Sequence, residues 1–294
     1  MKEAMQLKKM ALGKFQHWME GAHADELVRK PMHAVRRQAL AELHRRLKDA
    51  QRLSVFAGVR AVALELCKEL GLLVKSVDET NEEGEPPLVA AGSGGNVWAL
   101  ELLLAAGCEV GSSSQDSWTA LHRASVLGHK GSVACMLDAK ADIHAKTDTG
   151  ETCLAVAARA GQSELVKYLA EKGGGGLVLA LDNAGRSCAF AAARAGHAEA
   201  LGLMIEVGGK ELLMMAGEGG RSCAWVASRN GHVEALRVLI KAGGKELLML
   251  TGEDGVSCAY IASQNGHAEA LGLLIEAGGK ELLMLAYNNG ASCA

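Results

Sequence analysis

Three lysines stand in nearly the same words at intervals of 35 residues: GGKELLMM from Gly208, GGKELLML from Gly243 and GGKELLML from Gly278. A lysine behind glycines can sit on phosphate, because the glycines let backbone N–H groups approach the anion, but such a loop also needs a following Ser or Thr hydroxyl for the metal ion. Lys210, Lys245 and Lys280 are each followed by glutamate, so that hydroxyl is missing. The eight cysteines include no C-x-x-C pair, and the ten histidines include no H-x-x-x-H with a nearby acid. The common zinc and dithiol signatures are therefore absent. Ser-Cys-Ala recurs at Ser187, Ser222 and Ser257 without a G-x-S-x-G context, which speaks against a serine or cysteine nucleophile. The residues that could do chemistry recur at one period instead, and no catalytic, cofactor-binding or metal-ligating set stands out.

That period belongs to the elements that would hold them. Blocks beginning at Gly220 and Gly255 agree at 23 of 35 positions, and the same skeleton runs through 84–116, 117–149, 150–184, 185–219, 220–254 and 255–289. The first two of these units are 33 residues long and the rest 35. Each reads as two short antiparallel helices. The first follows a capping Thr152, Ser187, Ser222 or Ser257 and stops at Gly161, Gly196, Gly231 or Gly266, where glycine accepts a left-handed cap. The second carries apolar residues at helical spacing, such as Leu201, Met204 and Ile205. A helix of about ten residues is marginal alone, so the units must stack. Within the connector, Leu212, Leu247 and Leu282 are expected to be buried and Lys210, Lys245 and Lys280 exposed.

Five cysteines, Cys153, Cys188, Cys223, Cys258 and Cys293, follow the same period. Units stacked at roughly 8–10 Å keep equivalent cysteines beyond the Cα limit of about 7 Å for a disulfide. They read as small buried hydrophobes in a reducing compartment, which with the lack of a signal-like N-terminus points to the cytoplasm, the nucleus remaining open. His197, His232 and His267, one per unit at the helix junction, read as structural. So do Phe190, Trp225 and Tyr260, read as core beside the cysteine ladder.

The skeleton resembles the ankyrin repeat, with its Thr-Pro-Leu-His start and Gly-His junction. Thr119, Ala120, Leu121, His122, Gly128 and His129 match in one unit, and Pro86, Pro87, Leu88, Leu102, Leu103, Leu104 and Gly107 in another. Cysteine replaces the proline in the later units, and Phe190, Trp225 and Tyr260 replace the histidine. The resemblance implies an all-α, ankyrin-like solenoid of stacked helix-turn-helix repeats over residues 61–294, opened by a degenerate cap at 61–83 and ending in a truncated unit at 290–294. With no closing cap, either the array continues or another chain stacks on its last apolar face.

Charge divides the chain. Residues 1–60 hold 13 Lys and Arg against 6 Asp and Glu, whereas 61–294 hold 18 against 28. The N-terminal helical arm, with PMHAVRRQALAELHRRLKDAQR from Pro31, reads as a basic amphipathic helix that either docks on the first unit or meets an anionic membrane, a calmodulin-like groove or nucleic acid.

In an ankyrin-like stack, the partner protein meets the turn tips and the exposed end of the first helix of each unit, on the concave face. The resemblance carries that role onto Trp118, Arg159, Arg186, Arg194, Arg221, Arg229, Asn230, Gln264 and Asn265. Arg159, Arg194 and Arg229 recur at one position and should form a row, which suits an acidic or phosphorylated extended segment. The expected function is a non-catalytic interaction scaffold. The alternatives are a targeting or regulatory part of a larger enzyme or channel, and an anionic-surface or nucleic-acid binder working through the arm.

Overall fold

The computed structural model of the chain describes residues 85–95, 97–105 and 108–285. The expected arm at 1–60, the cap at 61–83 and the truncated unit at 290–294 lie outside the described residues. Within them the chain forms six helix pairs: α1 (Pro87–Ser93) with α2 (Val97–Ala105), α3 (Ala120–Val126) with α4 (Lys130–Asp138), and α5 (Cys153–Arg159) with α6 (Ser163–Val178). The series continues with α7 (Cys188–Ala195) and α8 (Ala198–Met214), α9 (Cys223–Asn230) and α10 (Val233–Leu248), and α11 (Cys258–Gln264) and α12 (Ala268–Leu283). The short first helices pack in sequence from α1 to α3 and on to α11, forming one layer, while α6, α8, α10 and α12 form the adjoining layer. No strand occurs among the described residues; isolated bridges such as Leu181 with Ser187 close the turn tips.

From α3 on, each first helix starts where the sequence places a hydroxyl, whereas α1 follows Pro86 with no side-chain cap. Thr152, Ser187, Ser222 and Ser257 sit in extended conformation and accept the backbone N–H three residues on, satisfying one of the orphan donors of the helix start. The small faces of these helices are wholly buried, with Ala157, Ala192, Ala193, Ala224 and Ala227 at 0% exposure. Small side chains there let neighbouring helices approach closely.

The second helices of the later pairs are bent by the double glycine. Gly209 takes φ 60° and ψ −157°, and Gly244 φ 59° and ψ −160°, a conformation essentially confined to glycine. Beyond the bend one further helical turn swings Leu212 and Leu247 into the core, both 0% exposed, and Leu282 follows at 0%. The lysines of that turn face solvent and reach the next unit, with Lys210 Nζ 2.5 Å from Glu246 and Lys245 Nζ 2.5 Å from Glu281. GGKELL is thus a joint between units, with its leucines inside and its lysines outside.

Candidate functional site

The junctions between units are built from the recurrent His, Gly and Asn. Gly196, with φ 82°, ends α7, and a Cβ placed there would lie 2.7 Å from the His232 ring of the next pair. His232 Nε2 donates to the Arg194 carbonyl at 3.1 Å, and His267 Nε2 to the Arg229 carbonyl at 2.9 Å. A carbonyl only accepts, so Nε2 carries the proton. Asn230 and Asn265 donate to the same two carbonyls at 2.8 and 2.7 Å. These four side chains bind one unit to the next, and the amides of Asn230 and Asn265 are thereby engaged within the stack. Gln264 is exposed.

The cysteine ladder is also internal. Cys188, Cys223 and Cys258 donate their S–H to the carbonyls of Val178, Leu213 and Leu248 at 3.1, 3.6 and 3.3 Å, and Cys153 does the same to Ile143 at 3.4 Å. Burial pushes the thiols of Cys153, Cys188 and Cys223 up to about 12. A protonated, enclosed thiol is a poor nucleophile and a poor metal ligand. Among the described residues no group of three His, Cys, Asp or Glu could hold a metal ion.

His122 differs from the aromatic residues that replace it downstream. It is fully buried, with Nε2 donating to the Ala145 carbonyl at 3.1 Å and Nδ1 2.8 Å from the Thr119 hydroxyl. Burial lowers its pKa from the ordinary 6.5, partly countered by its backbone hydrogen bonds and by Glu151. Trp225, at the equivalent position, is 4% exposed and packs in the core, and its Nε1 has no partner among the described residues. Phe190 and Tyr260 are half-buried against the same core.

Three of the expected arginines converge. A surface cleft of about 450 Å³ at the tips and first-helix ends of the α5 and α7 units is lined by Thr149, Glu151, Arg159, Arg186, Arg194 and the alanines between them. Arg159 is held by Glu151 through two hydrogen bonds, at 3.1 and 3.3 Å. Arg186 Nε is 2.7 Å from Asp182, whose other oxygen accepts the backbone N–H groups of Ala184 and Arg186. Arg194 is exposed and forms no ion pair with a described residue. Sequence reasoning missed Glu151 and Asp182 as the groups that fix these arginines. Asp182 had a signal, a carboxylate four residues before Arg186 with a turn glycine between, whereas Glu151 lies eight residues from Arg159 and only the fold brings them together.

The neighbouring unit repeats the theme with an aromatic support. Arg221 lies 4.7 Å from the centroid of the Trp225 ring and Arg229 5.7 Å from it, within cation–π range. Arg221 also lies 3.6 Å from Asp254, while Arg229 is exposed and forms no ion pair with a described residue. Trp118 stands apart from this group. It is half-buried, with the Arg123 guanidinium 5.0 Å above its ring and His122 edge-on at 6.0 Å, and Arg123 is paired with Glu85 at 2.6 Å.

A family model described as Ankyrin repeats (3 copies) matches residues 57–147 and 131–213, together more than half of the chain. No curated protein matches the chain. The pairs downstream of the matched span keep the same capped first helix and glycine stop as those within it, with a histidine ring packed on the preceding pair's glycine at Gly161, Gly196 and Gly231 alike. From the match and the stacked pairs together, the chain belongs to the ankyrin-repeat family.

Proposed function

We propose that this protein is a non-catalytic interaction scaffold in which residues 61–294 form the repeat body, residues 1–60 precede it as a basic arm, and a partner protein binds across the first-helix ends. Ankyrin repeats are in general protein–protein interaction modules. The observation that carries the reading is the cleft at the α5 and α7 units, where Arg159, Arg186 and Arg194 meet. Two of these guanidinium groups are held in place by protein carboxylates. An arginine fixed before binding loses less freedom when it binds, and arginine is over-represented among residues that dominate interfaces. The partner is an acidic or phosphorylated protein segment, and the site extends along Arg221 and Arg229 to Gln264. Among the described residues no helix is long and apolar enough to cross a membrane.

The test is affinity capture with the full chain and with an Arg194→Glu, Arg229→Glu variant, followed by mass spectrometry. Both side chains are exposed, so helical content by circular dichroism should be unchanged while proteins captured by the parent are lost. If the same proteins are recovered with both, the arginine row is not the binding site.

A further inference from the structure

Arg194 and Arg229 are alike in a way that their neighbours are not. In the cleft, three guanidinium groups face two carboxylates, since Glu151 holds Arg159 and Asp182 holds Arg186. Among the described residues one positive charge remains, on Arg194. In the next unit Asp254 answers Arg221, and Arg229 remains, its guanidinium set against Trp225. The two arginines left without an ion pair to a described residue occupy equivalent places on α7 and α9, which pack side by side, and the Asn230 amide ties their backbones together through the Arg194 carbonyl.

Two consequences follow from this spacing and charge. Helices in direct contact lie roughly 8–10 Å apart, so this is the separation that a partner must match between its two anionic groups. A polyproline II segment advances about 3.1 Å per residue with three residues per turn, so residues i and i+3 lie on one face about 9 Å apart. A β-strand fits less well, because its residues i and i+3 point to opposite faces. A single remaining positive charge per unit is balanced by one carboxylate. A phosphate carries nearly two negative charges at neutral pH and is best met by several donors.

We infer that the partner segment is an extended, polyproline II-like acidic peptide with Asp or Glu at positions i and i+3, one carboxylate on Arg194 and the next on Arg229. This rests on the reading of the arginine row as the binding face and adds its register and chemistry.

The experiment uses the full chain with fluorescein-labelled, proline-rich peptides read by fluorescence anisotropy. One peptide carries two glutamates at i and i+3, a second has the same composition with them at i and i+2, and a third carries phosphoserines at i and i+3. The i, i+3 glutamate peptide should bind about tenfold tighter than the i, i+2 peptide, the factor expected when one charge-assisted hydrogen bond is lost. That preference should vanish in the Arg194→Glu, Arg229→Glu variant. Equal affinity for both spacings overturns the register, and phosphoserine binding more than tenfold tighter than glutamate overturns the carboxylate assignment. If no peptide binds while partner capture still depends on Arg194 and Arg229, this inference fails alone. Capture that ignores both arginines overturns the reading beneath it.

Discussion

Between α4 and α5 the chain crosses as a loop in which Asp142 is exposed; at the corresponding place, in the added last turn of α8, stands Leu212, fully buried. The two joints also differ at the first helix. In α3 a buried His122 bonds the Ala145 carbonyl of the following loop, whereas in α9 the equivalent residue is Trp225, which contributes apolar area and bonds no carbonyl of a described residue. The shorter unit closes its loop with a directional hydrogen bond, and the longer one replaces most of that loop with helix and leucine. A buried polar bond fixes geometry but is costly if one partner is lost, while apolar burial is non-directional and scales with area. Both solutions keep the next unit in place, so the comparison predicts different failure modes for the two halves of the stack.

The largest contrast is expected for Leu247→Ala, which empties a fully buried site and should destabilise by about 2–5 kcal/mol in chemical denaturation. Asp142→Ala, at the matching place in the loop, removes only an exposed side chain that accepts the His144 N–H, and should cost no more than about 1 kcal/mol. Equal losses would mean that the added turn is not part of the core.

Next is His122→Phe, which installs the residue type of the later units and leaves the Ala145 carbonyl without its donor. A loss of about 1–3 kcal/mol is expected. The same residue gives the α3 region a pH dependence. His122 has a lowered pKa in the fold, so the unfolded chain takes up the proton first as pH falls. Its contribution is therefore full above the ordinary 6.5 and is lost as pH drops from there through the folded value. Amide-exchange stabilities of α3 should fall between pH 7.5 and 5.5 relative to those of α9, and His122→Phe should remove the difference.

The smallest effect is expected for Lys210→Gln with Lys245→Gln. Their pairs with Glu246 and Glu281 lie at the surface, with side chains about half exposed or more. The combined loss should stay below about 2 kcal/mol and shrink in 1 M NaCl, where exposed charges are screened within about 3 Å. A large, salt-independent loss would move these lysines from the periphery of the joint to its centre.

Much of this stack is legible before folding is considered. The hydroxyl before each first helix from α3 on, the glycine behind it and the apolar spacing of the second helix act over three or four residues, and the 35-residue echo shows that the units are equivalent. The connector leucines could be assigned to the core because they recur beside lysines that do not suit burial. The site was legible only in part. The recurrence of Arg159, Arg194 and Arg229 marks a row, yet it does not show that Arg159 is bound by Glu151 while Arg194 is left over. Nor does it show that Asn230 and Asn265 are consumed by backbone carbonyls of the preceding unit, because those partners lie 35 or so residues away.

The sequence by itself determined the repeat, its helix starts and stops and its family, because these depend on local backbone preferences and on a pattern copied along the chain. Apart from the local Asp182–Arg186 pair, the tertiary structure decided which charges cancel. Whether a guanidinium is neutralised depends on a carboxylate within about 4 Å, and stacking, not spacing along the chain, put Asp254 beside Arg221 while leaving Arg194 and Arg229 facing solvent.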